Sequence, residues 1–455
     1  MEAVIGKDIT IEDPTPELMD WVRDNLIVTN PEYVSKKRMG LWLGNTEKEL
    51  FLYAKSGNKL ILPVGCYAQL PVRLKFKVDF PKFTSFPAPK MSLYSYQQAA
   101  VSKMIDKHFG ILKAPCGSGK TQMGLWLAGN AGKVLWLTHT KDLLKQSYDR
   151  AKLFYDEAEL GSITEGKVNI GSRITFATVQ TLVKLDLSAY RYTWNTVIVD
   201  ECQHAAGSPT KMMMFYKVLS NLSASRKYGL SATVHRADGM IKSLYAIIGP
   251  VLAEVSDEDV KETTAPVRVY RMDTGIPISE TALDTDGTLI YSKLLNYLAG
   301  NEQRNLWICR HIYAKYKEHS NLCLSDRLEQ LKTLRDMLPG FGVAASDIRY
   351  IDAKTKASDR DAALSDMRSG KAKVLLASYG LAKEGLDIPN LDRVHLLTPQ
   401  KDYAVVLQSA GRVARVFPGK DHGLVCDYVD DIGFCVNAYK KRKKYYKEKG
   451  YEIIE

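Results

Sequence analysis

Short runs of consecutive apolar residues recur along most of this chain, separated by stretches long enough to hold a helix. Between residues 93 and 260 the clearest runs are Gly110-Ile111-Leu112-Lys113-Ala114, Lys133-Val134-Leu135-Trp136-Leu137-Thr138, Arg173-Ile174-Thr175-Phe176-Ala177 and Thr196-Val197-Ile198-Val199-Asp200. Continuous apolar runs, rather than alternating ones, predict strands buried on both faces. Strands spaced by helix-length segments predict a parallel α/β sheet. The pattern resumes after about residue 300 with Asn321-Leu322-Cys323-Leu324-Ser325, Lys373-Val374-Leu375-Leu376-Ala377, Arg393-Val394-His395-Leu396-Leu397 and Gly423-Leu424-Val425-Cys426-Asp427. Two α/β units are therefore expected, and the polar, turn-rich stretch 256–290 reads as their joint.

The first 85 residues follow a different pattern. Pro16-Glu17-Leu18-Met19-Asp20-Trp21-Val22 reads as a helix start, with proline and an acid in the first turn. Glu49-Leu50-Phe51-Leu52-Tyr53 and Lys59-Leu60-Ile61-Leu62-Pro63, split by Lys55-Ser56-Gly57-Asn58, read as a hairpin. Pro81, Pro87 and Pro89 then mark a linker. The expected division is a small α+β module over 1–85, α/β lobes over 86–265 and 266–435, and a basic tail over 436–455. A length of 455 residues accommodates these domains.

Composition narrows the class. Apolar residues make up 45% and charged residues 25%, ordinary values for a globular chain without a long disordered region. The net charge of +11 is open to two readings, solubility or a polyanionic partner. Seven cysteines, at 66, 116, 202, 309, 323, 426 and 435, show no CxxC spacing, so neither a disulfide framework nor a zinc site is suggested. Free thiols suit a reducing compartment. No apolar run approaches the ~18 residues of a membrane span. Glu2, Asp8, Glu12, Asp13 and Glu17 argue against a signal or transit peptide.

The chemistry concentrates at two strand ends. Ala114-Pro115-Cys116-Gly117-Ser118-Gly119-Lys120-Thr121 lies between a predicted strand and a predicted helix, the context a phosphate-binding loop requires. Small residues let backbone N–H groups close around phosphates at the helix N-terminus, where the dipole favours anions. Lys120 would reach the β- and γ-phosphates and the Thr121 hydroxyl would ligate Mg²⁺. Ala114 stands where the common pattern has its first glycine. Downstream, Asp200-Glu201-Cys202-Gln203-His204 ends an apolar strand, and ligands bind at the carboxyl ends of such strands. Asp200 would hold the Mg²⁺, and Glu201 would orient and deprotonate the attacking water.

Together with further segments in order, these motifs resemble superfamily 2 helicases from about residue 93 to 435. Leu93-Tyr94-Ser95-Tyr96-Gln97 resembles the adenine-reading segment, with Gln97 as the reader, although family members often carry Arg-Pro where this chain has Tyr94-Ser95. Thr138-His139-Thr140-Lys141-Asp142-Leu143 resembles motif Ia, and Thr175-Phe176-Ala177-Thr178-Val179-Gln180-Thr181-Leu182 resembles motif Ib and its neighbour. Gly229-Leu230-Ser231-Ala232-Thr233 matches motif III, and Leu324-Ser325-Asp326-Arg327 sits at motif IV. The segment from Ala377 to Pro389 resembles motif V, and Gln408-Ser409-Ala410-Gly411-Arg412-Val413-Ala414-Arg415 has the motif VI pattern QxxGRxxR.

The resemblance implies two RecA-like lobes that hydrolyse ATP with Mg²⁺ at their interface and move along nucleic acid. It implies nucleotide contacts from Gln97, the loop Pro115–Thr121, Gly385, Asp387 and Gln408. Coupling of the ATP site to the track falls to Ser231, Thr233, Gln203 and His204. Phosphate grip falls to Thr138, Thr178, Gln180, Ser325 and Lys383. Arg415 is the implied arginine finger and Arg412 its companion at the γ-phosphate; spaced three apart, they are expected on one helix face.

Asp200-Glu201-Cys202-Gln203-His204 departs from the Asp-Glu-Ala-Asp spelling of DEAD-box RNA helicases, and Val234-His235-Arg236-Ala237-Asp238-Gly239 resembles the Arg-Glu-Asp element of XPB-type DNA helicases, with Ala237 in place of Glu. The N-terminal unit, with Asn30-Pro31-Glu32-Tyr33 and Leu62-Pro63-Val64-Gly65, resembles the module that precedes the motor in XPB-like proteins and in phage branch-migration helicases of the UvsW kind. DNA, single-stranded and branched, is the implied partner, in the cytoplasm of a prokaryotic or phage-infected cell. The motor of a restriction or repair complex, an RNA-remodelling ATPase and an inactive binding module are the alternatives. Arg73, Lys75 and Lys77 alternate on a predicted strand and read either as a solvated face or as a duplex contact. Residues 440–449 read either as a DNA contact or as a helix in solvent.

Overall fold

The computed structural model describes residues 1–455 except 116, 165, 207–208, 235–239 and 384–385, and does not describe the side chains of 209–211, 262, 383 and 404. The chain divides into two compact units, Met1–Ser256 and Asp257–Glu455.

Among the described residues the first unit holds two larger sheets and one two-stranded sheet. The N-terminal sheet has the order Ala54–Ser56, Lys59–Leu62, Ile9–Glu12, Glu2–Ile5, Lys75–Val78, with the last pair parallel. Helix Pro16–Asn25 starts as its sequence requires: the Thr15 side chain accepts from the Leu18 amide, Pro16 occupies the first turn, and Leu18 and Val22 turn inward. The expected hairpin forms around Gly57 at φ 60°, but its first arm is Ala54–Ser56. Glu49–Phe51 pairs with Ile27–Thr29 instead. The second sheet has eight strands, in the order Lys167–Asn169, Leu160–Thr164, Ile174–Thr178, Val134–Thr138, Thr196–Asp200, Arg226–Ser231, Phe109–Lys113, Val251–Glu254. All are parallel except Lys167–Asn169, and the Val134, Ile174 and Thr196 strands are buried throughout. Coverage on both faces explains their unbroken apolar runs.

The two larger sheets share a core. Ile5, Ile9, Leu62 and Val64 belong to the same buried cluster as Phe109, Leu135, Ala246 and Ile247. At Gly65 a Cβ would lie 2.6 Å from the Ala246 carbonyl oxygen, so only glycine permits this approach. The proline-rich segment is a strap along the sheet rather than a loose spacer. Asn195 accepts from the Thr84 amide (3.2 Å) and donates to the Lys82 carbonyl (3.0 Å). The buried Arg173 guanidinium donates to the Pro87 carbonyl, pairs with Glu159 at 3.0 Å and lies over the Phe86 and Tyr155 rings.

The second unit is a seven-stranded parallel sheet in the order Ile348–Ile351, Val374–Ser378, Asn321–Ser325, Arg393–Leu396, Gly423–Asp431, Val267–Pro277, Glu452–Ile454. Two expectations change here. The stretch 256–290 is more than a joint, because Val267–Pro277 lies inside the sheet beside Gly423–Asp431. Only Val267, Val269 and Ile276 of that strand are buried, so it lacks an apolar run. The basic segment 436–455 is not a tail. It contributes helix Gly433–Glu448, which buries Cys435, Ala438, Tyr439, Arg442 and Tyr446, and the edge strand Glu452–Ile454. That helical spacing was masked by the lysines around it.

Arg442 is the keystone of this packing. Its guanidinium makes two bonds to Asp427, at 2.8 and 2.6 Å, and one to the Gln400 carbonyl at 2.7 Å. Tyr446 donates to the same carboxylate at 2.8 Å. Arg442→Ala should strand the buried Asp427 charge and cost ~3–5 kcal/mol of stability. Urea melts of wild type and variant measure this; a difference near zero would show that the site relaxes around the lone carboxylate.

Candidate nucleotide-binding and hydrolysis site

The candidate phosphate loop lies between a strand and a helix, the context expected of it. Strand Phe109–Lys113 enters it and helix Lys120–Asn130 leaves it. Gly117 (φ 86°) and Gly119 (φ 77°) make the left-handed bends that fold the loop back on the helix N-terminus. Ala114 serves well in place of glycine because its amide continues the sheet, donating to Ser231 O at 2.9 Å. The buried Ser118 hydroxyl donates to Pro115 O at 2.7 Å and fixes the loop internally. Lys120 and Thr121 open the helix, with Lys120 Nζ 3.5 Å from Pro115 O. Cys116 lies outside the described residues.

Gln97 is buried against this loop. It accepts from the Tyr94 amide at 3.0 Å and donates to Ser118 O at 2.9 Å. Tyr96 donates to the same carbonyl at 3.1 Å. A side chain at Gly119 would collide with the Gln97 amide nitrogen, so loop and glutamine are fitted to one another.

Strand Thr196–Asp200 delivers the carboxylates. Asp200 is buried and accepts from the Glu201 amide (3.0 Å) and the Ser147 hydroxyl (3.2 Å). Burial pushes its pKa up to about 7, above the usual carboxylate range; the Glu201 charge adds to this and Lys120 opposes it. A buried carboxylate so destabilised as an anion is chemically suited to a divalent cation. Ser147 was missed in the sequence, although it is a polar residue between Leu144 and Ala151 on the buried face of helix Lys141–Ala151.

Glu201 has φ 49°, a left-handed conformation that costs a non-glycine residue ~1–3 kcal/mol and tends to mark functional sites. Its carboxylate accepts from Gln203 Nε2 at 2.7 Å, and Gln203 Oε1 accepts from the Ser231 hydroxyl at 2.6 Å. Ser231 Oγ in turn accepts from the Thr233 amide at 3.0 Å. The four residues form one hydrogen-bonded chain from the carboxylate to the strand end. His204 stacks on His139 with centroids 3.6 Å apart, and Gln180 donates to His139 O at 2.8 Å. The five segments resembling motifs Ia, Ib, II and III and the phosphate loop thus meet around the ends of neighbouring strands.

Three phosphate-grip expectations are corrected. Thr138, Thr178 and Ser325 are buried, and their hydroxyls are engaged within the fold. Thr138 donates to Thr140 O, Thr178 caps helix Val179–Leu182, and Ser325 donates to Gln330 while accepting from the Arg327 amide. These side chains shape the strand ends. Gln180 is exposed. The Lys383 side chain, Gly385 and the Arg236/Asp238 element lie outside the described residues.

In the second unit the two arginines do not share a helix face. The α-helix Tyr403–Ala410, which carries the mostly buried Gln408, gives way to a 3-10 turn over Gly411–Ala414, and Arg415 follows in extended conformation. Arg412 donates to Leu386 O at 2.8 Å and Ala382 O at 2.7 Å, whereas Arg415 pairs with the Asp387 carboxylate. Arg412 thus holds the backbone at Ala382 and Leu386, and Arg415 engages Asp387, one of the residues expected at the nucleotide.

A parallel sheet with a phosphate loop and paired strand-end carboxylates, followed by a second parallel sheet, defines tandem RecA-like ATPase domains. Residues 90–236 match the family model of the type III restriction enzyme res subunit, and residues 303–417 match that of the helicase conserved C-terminal domain. The protein of Acanthamoeba polyphaga mimivirus named as ATP-dependent RNA helicase L396 is 27% identical over 418 residues, covering 88% of this chain and 77% of its own. The ATP-dependent DNA helicase uvsW of Enterobacteria phage T4 is 23% identical, covering 81% and 75%. The fold is shared with S. cerevisiae Dbp5 bound to RNA and ADP BeF3, at TM-score 0.56 and 16% identity over 79% of this chain and 89% of that one. This chain belongs to the superfamily 2 helicases and is an ATP hydrolase of that type. Among the described residues no helix is long and apolar enough to cross a membrane.

Proposed function

We propose that this protein is an ATP-driven DNA motor that unwinds or remodels branched DNA, at forks or junctions, in replication, recombination or repair. The observation that carries the motor reading is the chain Glu201–Gln203–Ser231–Thr233. It ties the base proposed to activate water to the end of a neighbouring strand, so a change at one end is felt at the other. Thr121 and Asp200 would hold the Mg²⁺ that accompanies ATP and neutralises phosphate charge. Lys120 and the loop amides would bind the phosphates, Gln97 would read adenine, and Gly385, Asp387 and Gln408 would complete the nucleotide contacts. Arg415 would act as the arginine finger with Arg412 beside it.

DNA is favoured over RNA by the Asp200-Glu201-Cys202-Gln203-His204 spelling and by the likeness to a phage DNA helicase. An RNA-remodelling ATPase is the second reading, favoured by the name of the mimivirus relative. The N-terminal module would set substrate choice, with Arg73, Lys75 and Lys77 exposed on its edge strand and its neighbourhood. Lys383 and Gln180 are the phosphate contacts retained from the sequence. The likeness to phage and viral proteins supports a working place in the cytoplasm of a prokaryotic or phage-infected cell.

The test compares ATPase stimulation by single-stranded, duplex and branched DNA and by RNA. Branched or single-stranded DNA should stimulate most. Binding should weaken with salt at a slope of about −0.7 to −0.9 per phosphate contact. Stimulation by RNA equal to that by every DNA form would reverse the substrate assignment.

A further inference from the structure

The segment 30–49 stands out from the N-terminal module as an arm. Its helix, Pro31–Arg38, buries none of its residues. The loop that follows holds Met39, Leu41 and Trp42 open to solvent at 60%, 52% and 88% exposure. An indole with so little cover forgoes the burial that makes tryptophan valuable in a core. The loop is nonetheless well defined. The buried Asn30 donates to Glu47 O at 2.9 Å, and Lys36 Nζ donates to the Thr46 hydroxyl and pairs with Glu32, both at 2.8 Å. Leu41 N donates to Lys36 O, and Thr46 N to Leu43 O. Gly40 (φ 64°) and Gly44 (φ 51°) supply two left-handed bends. A Cβ at Gly44 would lie 2.9 Å from the Trp42 ring, so the second glycine lets the loop close beneath the indole. Trp42, Asn45, Thr46 and Lys36 bound an open cavity of about 440 Å³. Lys37 and Arg38 are exposed next to it in the chain.

We propose that this arm receives an unstacked nucleobase. The base stacks on Trp42, its polar edge meets Asn45, and the adjoining phosphates meet Lys37 and Arg38. This rests on the reading of the chain as a nucleic-acid motor and names one place where that motor holds its substrate. Stacking on an aromatic face tolerates any base, whereas cationic side chains follow the backbone. Bases inside a duplex already stack on each other and present only their edges in the grooves. The arm therefore selects single strands, ends and junctions over continuous duplex. The cavity wall also carries Glu47 and Glu32, the latter neutralised by Lys36, so the charge for phosphates comes from Lys37 and Arg38 beside it; these two exposed cations favour a nucleic-acid strand over an apolar protein surface.

The experiment uses the full chain and a forked DNA with 2-aminopurine at the first unpaired position. Wild type should quench the probe on binding. Trp42→Ala should melt like wild type, since the indole is exposed, and should lose the quench. It should bind the fork roughly 5- to 150-fold more weakly, the range that base–aromatic stacking supplies. Trp42→Phe should restore most of both signals. ATPase stimulated by saturating plain single strand is measured alongside. If that stimulation is present and Trp42→Ala quenches and binds the fork as wild type does, the arm proposal is overturned and the motor reading stands. Failure of Trp42→Phe to restore the quench would also overturn it. If no nucleic acid binds wild type or stimulates its ATPase, both readings fall.

Discussion

Arg415→Ala should lower ATP turnover by ~10³–10⁵, the usual contribution of an arginine finger, while ATP affinity falls far less. A finger acts on charge that develops on the phosphoryl group in the transition state, so its loss shows in turnover before it shows in binding. The position is well prepared for such a role. The Ala265 amide donates to Ala414 O and Thr264 bridges to Arg415, so the backbone that carries the guanidinium is held on both sides. Arg412 keeps its bonds to Leu386 O and Ala382 O when Arg415 is truncated, so the surrounding segment should survive the change. Arg415→Lys should rescue little, because an ammonium lacks the planar fork of a guanidinium. Steady-state hydrolysis at saturating DNA, set against binding of a fluorescent nucleotide, separates the two quantities. Unchanged DNA-stimulated turnover in the alanine variant would remove Arg415 from the role.

The strands that the sequence revealed are those buried on both faces. Thr196–Asp200 and Asn321–Ser325 agree with their apolar runs residue for residue. Val267–Pro277 escaped because it alternates inward valines with Arg268, Tyr270 and Arg271, and Glu452–Ile454 because a three-residue edge strand leaves almost no pattern. The helix Gly433–Glu448 was concealed by charge. Lysines dominate its composition, but the residues that decide its place are Tyr439, Arg442 and Tyr446. One buried arginine among exposed lysines looks like its neighbours until Asp427, from a strand beside it, is seen to meet it.

The site divides along the same line. Groups fixed by local chain geometry were legible, because the loop Ala114–Thr121 and the pair Asp200-Glu201 need only a strand before them and a turn after. Groups whose meaning depends on distant partners were not. Thr138, Thr178 and Ser325 sit at the right strand ends, yet each hydroxyl is consumed by capping or by a neighbouring backbone. Ser147 reaches Asp200 from another helix, and Gln203 joins Glu201 to Ser231 across 28 positions of sequence. The spacing of Arg412 and Arg415 suggested one helix face, but the helix tightens at Gly411 and the two guanidinium groups part. Motif spelling places residues along the chain; only packing decides what they touch.

The remaining expectation concerns the residue proposed to activate water. Glu201→Gln should bind ATP as wild type does and lose ~10²–10⁴ of turnover, the usual worth of a positioned general base. The amide matches the carboxylate in size and retains an oxygen able to accept from Gln203 Nε2, so the hydrogen-bonded chain to Ser231 should persist. What it cannot do is take a proton from water. The left-handed backbone at Glu201 sharpens the argument, because the chain holds a non-glycine residue in that unfavourable conformation, at φ 49°, where the carboxylate meets Gln203. Gln203→Ala gives the complementary measurement: the base is present but unanchored, so hydrolysis should fall by less than in Glu201→Gln and its dependence on DNA should weaken. A Glu201→Gln enzyme that hydrolyses ATP at near wild-type rates would place the base elsewhere. Equal losses in both variants, with DNA stimulation intact, would mean that Gln203 serves only to hold Glu201 and carries no signal to Ser231.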